Sequence, residues 1–170
     1  MAGRVSNTQA DKAAGELRRF LLLPVAEKRK RGETDRLYHA ITTIIDYRAM
    51  HAYPLKKVTM GVRAMTETEL GPDAPRPGQR FKRFDRIMQK LVRYDTMRLS
   101  QMEDIGGCRV VVPTLDECYA VAGRLRRRWR VPIIDHVERP KDDGYRALHV
   151  VENRDGRQIE VQVRTERQHR

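Results

Sequence analysis

This 170-residue chain has little aromatic residue, almost no cysteine and no long apolar run. Its two cysteines, Cys108 in a predicted strand and Cys118 in a predicted helix, exclude a disulfide framework and read as small core residues of a reducing compartment. The longest uninterrupted apolar stretch, Phe20 to Leu23, is far too short to cross a bilayer and does not sit where a signal sequence would. A cytoplasmic protein without a membrane partner is expected. Internal repeats and low-complexity segments are also missing. What is present is charge: 34% of residues are charged against 6% aromatic, and the 39% that are hydrophobic suffice for one domain with a real core. The excess of 35 Lys and Arg over 23 Asp and Glu gives +12, which favours nucleotide phosphates, RNA or an anionic surface.

The front of the chain reads as helices. Thr8 to Leu23 carries Ala13, Leu17, Phe20 and Leu21 on one stripe and ends at Pro24. Lys28-Arg29-Lys30-Arg31-Gly32 reads as a solvated basic turn. A second helix, Thr34 to His51, spaces Leu37, Ile41, Ile44, Ile45 and Arg48 helically, and Pro54 suits the first turn of a third bearing Leu55, Val58, Val62 and Met65. Three prolines and two glycines between Gly71 and Gly78 mark a hinge. It divides an N-terminal helical part, 1–70, from a back part, 79–170, inside one compact unit.

Past the hinge, Gln79 to Lys82 reads as a strand with Arg80 and Lys82 on one side. The next helix buries Phe84, Ile87, Met88 and Leu91 and projects Arg86, Lys90 and Arg93. These cations make either a triphosphate cradle or an exposed basic helix. Thr114-Leu115-Asp116-Glu117 is a capping box, and the helix it begins carries Leu115, Cys118, Ala122, Leu125 and Trp129 on its apolar stripe. Arg124 to Arg130 cluster at its end, where they suit the helix dipole. A strand from Val131 to Val137 follows.

Two stretches carry the chemistry. In Met102 to Pro113 an acid pair, Glu103-Asp104, meets Gly106-Gly107 and then a β-branched strand, so charge is presented at the mouth of a buried element, which is costly unless a cation or substrate sits opposite. In Arg157 to Arg164 strict alternation puts Gln158, Glu160, Gln162 and Arg164 on one face and Ile159, Val161 and Val163 on the other. If the two strands are neighbours, Asp104 and Glu160 share one divalent cation, for which hard oxygens favour Mg²⁺. Between them, Lys141 to His149 turns through Asp143-Gly144 into a strand on which Tyr145 and His149 look the same way, a pattern suited to stacking a base while holding phosphate or ribose.

Together these pieces resemble the synthetase domain of the RelA/SpoT homologue family, the alarmone synthetases. The resemblance rests on Arg80-Phe81-Lys82 with Ile87 and Lys90, on Glu103 to Arg109, on Pro140-Lys141 with Gly144-Tyr145-Arg146 and Leu148-His149, and on Glu160 to Thr165. Ser6-Asn7 and His51 to Leu55 resemble the single-domain branch. The family implies an α+β fold, a nucleotidyltransferase-like mixed sheet of about five strands flanked by helices. It implies transfer of pyrophosphate from ATP to the 3′-hydroxyl of GDP or GTP. By resemblance, Arg80 and Arg109 bracket adenine, Lys82 and Lys90 contact the ATP phosphates, and Asp104 and Glu160 bind Mg²⁺. Glu160 is also the implied base, Tyr145 stacks on guanine, and Lys141, Asp143 and His149 lie by the acceptor.

The chain departs from the family pattern at Arg86 in place of serine, at Asp143 in place of asparagine, and at Asp135-His136-Val137, where a tyrosine is usual. The family implies at least one further helix past Arg164-Thr165, whereas this sequence stops at Glu166 to Arg170, so that C-terminal helix is expected to be missing. Three readings follow: a guanosine pyrophosphokinase, a toxin-type relative acting on the 3′ end of tRNA, and a truncated nucleotide- or RNA-binding remnant. A homo-oligomer stays open.

Overall fold

The computed structural model describes residues 4–169. The elements in order are α1 (Asn7–Leu22), α2 (Val25–Lys28), α3 (Arg31–Ala49), α4 (Ala52–Leu70), β1 (Gly78–Phe81), α5 (Phe84–Arg93), a 3₁₀ turn (Leu99–Gln101), β2 (Gly106–Val112), α6 (Leu115–Trp129), β3 (Ile133–Asp135), β4 (Leu148–Arg154), β5 (Arg157–Thr165) and α7 (Glu166–His169). They fall into two compact units, one of residues 1–52 and 82–102 and the other of 53–81 and 103–170.

The helical unit pairs α1 with α3. Ser6 starts α1 by accepting from the Gln9 N–H while the Gln9 side chain returns a bond to the Ser6 backbone, so two of the helix's orphan donors are satisfied. Small residues, Ala10, Ala13 and Ala14, with Leu17 form its buried face, while Leu21, though on the expected stripe, is exposed near the helix end. In α3 the buried residues are Ala40, Ile44 and Tyr47; Ile45 turns outward and the Tyr47 hydroxyl bonds Asn7. Arg18 ties α1 to the end of α5 by donating to the carbonyls of Leu91, Tyr94 and Met97, and Asp11 caps the 3₁₀ turn through the Ser100 N–H and hydroxyl.

The other unit is built on a five-stranded sheet ordered β1-β2-β5-β4-β3, in which β2 and β5 run parallel and the remaining pairs antiparallel. One face is core. Val110, Val112, Leu148, Val150, Ile159, Val161 and Val163 pack there against Leu55, Val58 and Val62 of α4 and Cys118, Val121, Ala122 and Leu125 of α6. Each such side chain contributes about 1.5–3 kcal/mol on burial. The Pro/Gly segment therefore does not part these units: α4 precedes it yet packs on the sheet, and α5 follows it yet belongs with the helices.

The predicted capping box of α6 forms, with Thr114 accepting from the Glu117 N–H and the Glu117 carboxylate accepting from the Thr114 N–H, although Leu115 is exposed. β3 is shorter than Val131 to Val137 because the Asp135 carboxylate accepts the N–H groups of Val137 and Glu138 and turns the chain. Lys82 lies past the end of β1, outside the strand expected to carry it. Asp155 and Gly156, at φ 52° and 74°, make the tight turn between β4 and β5, the sequence type such hairpins require.

Candidate active site

The face of the sheet opposite α4 and α6 carries the polar residues. Because side chains alternate along a strand, Arg109, Glu160, Gln162 and His149 all emerge there, and the register sets Arg109 beside Gln162 and Gln162 beside His149. Arg80 sits on β1 opposite Gly107, which is in turn paired with Glu160. Gly107 eases the strand pairing at that position, since a Cβ would stand 3.3 Å from the Glu160 carbonyl oxygen, a tight contact.

Asp104 and Glu160 line one small cavity of about 10 Å³ with Arg80, Gly107, Cys108, Arg109 and Gln162. That is room for about one water or one ion. The strands β2 and β5 are neighbours, as the sharing of a cation requires, and Asp104 reaches the cavity from the turn that precedes β2. The Glu160 carboxylate is only 14% exposed; one oxygen is 2.9 Å from His149 Nδ1 and the other accepts from Gln162 Nε2 at 2.6 Å. Burial pushes this carboxyl up, yet the His149 and Gln162 hydrogen bonds outweigh it and hold Glu160 below its ordinary value.

His149 is placed by its partners. A carboxylate only accepts, so Nδ1 carries a proton, and in the neutral ring Nε2 then accepts the Tyr145 hydroxyl at 2.9 Å. His136 stands edge-on to His149 with centroids 4.9 Å apart and to Tyr145 at 6.2 Å. Its own proton affinity is lowered by burial and then by His149 and Lys141. The Lys141 ammonium lies 5.0 Å from the Tyr145 ring centroid. Asp143 accepts the Tyr145 N–H at 3.0 Å and, with Gly144 at φ 78°, shapes the turn that presents the ring.

Three guanidiniums crowd the same face. Arg109 is lowered by burial and then by Arg80, and Arg164 by burial and then by Arg109. Cations held close against their repulsion make a local positive potential suited to a polyanion. A second cavity, about 540 Å³, opens beside Tyr145 and is lined by Arg146, Arg164 and Arg167.

Of the predicted residues, Arg80, Asp104, Arg109, Lys141, Asp143, Tyr145, His149 and Glu160 all belong to the sheet unit. Lys82 and Lys90 belong to the helical unit, where the Lys82 carbonyl accepts from Arg48. Arg86, in the same unit, bonds Gln89 and faces Asp85. Sequence reasoning named neither Gln162 nor His136 as a site residue. Alternation already put Gln162 on the polar face, whereas His136 stood out only as part of the Asp135-His136-Val137 departure from the family pattern, its neighbours coming from β4 and the loop before it.

A five-stranded mixed sheet flanked by helices is the small alarmone synthetase fold. It matches the small alarmone synthetase 2 of Bacillus subtilis with a TM-score of 0.58 at 23% identity, over 73% of each chain. It also matches a GTP pyrophosphokinase family protein of Streptococcus pneumoniae with a TM-score of 0.59 at 21% identity, over 73% of this chain and 70% of that one. The family model for the region found in RelA and SpoT proteins covers residues 79–170, and the chain belongs to that family. A GTP pyrophosphokinase of Photobacterium angustum is 31% identical over 98 residues, 55% of this chain and 12% of that protein. The chain thus spans only a small part of the length of that curated relative. Among the described residues no helix is long and apolar enough to cross a membrane.

Proposed function

We propose that this protein transfers the β,γ-pyrophosphate of ATP to the 3′-hydroxyl of GDP or GTP. The observation that carries the reading is the shared cavity of Asp104 and Glu160, with Tyr145 and His149 bonded in series to the second acid. In the proposed reaction the acceptor's 3′ O–H bond breaks as its oxygen bonds the β-phosphorus. The bond from that phosphorus to the α-bridging oxygen breaks, and AMP leaves. Glu160 orients the hydroxyl and takes its proton. Being held below its ordinary value, it is a weak base, and positioning is the larger part of its contribution.

Mg²⁺ is the implied cofactor, and the donors suit it. Asp104 and Glu160 are hard oxygen ligands, and each Glu160 oxygen, though already hydrogen-bonded, keeps a second lone-pair direction. No group of three or more His, Cys, Asp or Glu is gathered among the described residues, so a cation held by these two would complete its shell with water and phosphate oxygens. When bound, it neutralises charge developing on the transferred phosphates. Arg80 and Arg109 are assigned to adenine, Lys82 and Lys90 to the ATP phosphates, Tyr145 to guanine, and Lys141 and His149 to the acceptor's phosphates. Asp143 acts through the turn it closes on Tyr145.

Incubation with Mg²⁺, γ-labelled ATP and either GDP or GTP should give labelled guanosine tetra- or pentaphosphate and AMP. Label entering only bulk tRNA would move the acceptor to RNA. Label staying in ATP would overturn the reading.

A further inference from the structure

The opposite side of the same unit holds a second cleft, of about 590 Å³, between α4, the end of α6 and the end of β4. The register separates it from the acids: Glu152 pairs with Ile159 and Arg154 with Arg157, so both project from the core face, while Glu160 projects from the other. Its volume lies within the roughly 300–1,000 Å³ usual for small-molecule sites.

A glycine lines the cleft. Gly61 sits in the middle of α4, where glycine costs about 1 kcal/mol relative to alanine. A Cβ there would lie 3.7 Å from the Trp129 indole and 3.8 Å from the Met65 methyl, so a larger side chain would fill the space over the ring. Gly61 thus leaves one flat aromatic wall partly open. Cations surround it. Arg128, exposed in the last turn of α6, makes no hydrogen bond or ion pair among the described residues. Arg154 bonds Glu152 through one terminal nitrogen at 2.9 Å, while its Nε is buried with no acceptor. Lys57 lies over the Tyr53 ring at 4.4 Å from its centroid and makes a half-exposed pair with Asp155 at 2.9 Å, an ion pair worth little and easily exchanged. The Glu152 carboxylate, 12% exposed and pushed up by burial against Arg154, is an acceptor with capacity to spare.

An indole face, three cations with unmet donor capacity and one sheltered carboxylate are complementary to a heteroaromatic ring bearing N–H donors and a phosphate. We infer that this cleft is a second nucleoside-phosphate site, with the base on Trp129 and Glu152 and the phosphate at Lys57, Arg154 and Arg128. The negative end of α6 disfavours an anion on the helix axis, which places the phosphate toward Lys57 and Arg154. The same chemistry is offered by a free nucleotide and by a nucleotide within an RNA strand.

Trp129 is the sole tryptophan of the sequence, so the protein carries its own reporter. Unmodified nucleotides quench indole emission only by contact. Titration of the intact protein with GDP, with AMP and separately with a short single-stranded RNA should quench the tryptophan saturably. Quenching by the mononucleotides assigns the site to free nucleotide, and quenching by the RNA alone assigns it to a strand. Tyr145→Ala, on the other face, should leave the quenching intact. Arg128→Glu, at an exposed position that the fold does not need, should weaken it about tenfold or more, the effect of one lost charge-assisted contact. Gly61→Met, which fills the cleft, should abolish it. Absence of quenching by all three ligands, or quenching lost in Tyr145→Ala and unchanged in Arg128→Glu, would overturn the inference whether or not the protein turns over ATP.

Discussion

The side-chain amide of Gln162 joins Arg109 to Glu160, its oxygen accepting from Arg109 Nε and Nη2 at 3.2 and 3.1 Å and its nitrogen donating to the Glu160 carboxylate at 2.6 Å. A guanidinium only donates and a carboxylate only accepts, so one orientation of the amide satisfies both. Gln162→Glu keeps the size and the acceptor toward Arg109 but sets a second carboxylate against Glu160. Turnover of labelled ATP with GDP should fall by about tenfold to a hundredfold, the worth of a buried charged hydrogen bond, with thermal unfolding showing the fold retained. Unchanged kcat and KM for ATP would mean that the bridge has no part in catalysis.

Glu160→Gln preserves the shape of the site and removes both the proposed base and a proposed metal ligand. Its kcat should drop by about 10²–10⁴ while binding of GDP, measured by calorimetry, stays within a few-fold. Wild-type rates in this variant would remove Glu160 from the reaction.

The acid limb of stability should depend on His149. Glu160 is held below its ordinary value in the fold, so its contribution to stability is present above the unfolded-state value and is lost as pH falls through the folded one. His149→Ala removes one of the two donors that together outweigh burial and lets the folded value rise. Followed by circular dichroism, acid unfolding should then begin at higher pH than in the wild type. In a Glu160→Gln background the same substitution should shift the midpoint far less. Equal shifts in both backgrounds would assign the effect to packing.

The thiols should be silent until the protein unfolds. Burial pushes Cys108 up to about 12 and Cys118 up to about 11, so neither is appreciably thiolate near neutrality. A colorimetric thiol count at pH 8 should find essentially none reacting in the native protein and both in denaturant. A rapidly reacting thiol in the native state would contradict the packing of β2 or α6.

How much of this could be read from the chain depends on the range of the interactions. The faces of β2 and β5 were legible because alternation is local: Ile159, Val161 and Val163 could only be core if Glu160 and Gln162 were not. The same parity placed Tyr145 and His149 together. The capping box of α6 was also local and formed as expected. What could not be read is which partner an apolar stripe meets. Leu21 and Ile45 sit at plausible helical spacing, yet small residues, Ala10, Ala14 and Ala40, line the α1 and α3 faces that pack. The Pro/Gly segment looks like a divide, but a turn-rich stretch records only where the chain bends. The allegiance of α4 is decided by Leu55, Val58 and Val62 meeting strands about fifty or more residues away. The link from Tyr145 through His149 to Glu160 likewise spans two strands and has no local signature.

Strand β5 follows the other four in the chain and is the middle strand of the sheet. Until it leaves the ribosome, β2 and β4 each present an unpaired apolar edge, and the antiparallel pairs β1–β2 and β3–β4 have nothing to join them. A nascent chain stalled before residue 157 would therefore hold two adhesive strand edges and lack the second acid. Premature termination in the final segment should yield aggregating, catalytically silent polypeptide, a reason for cells to clear such products quickly.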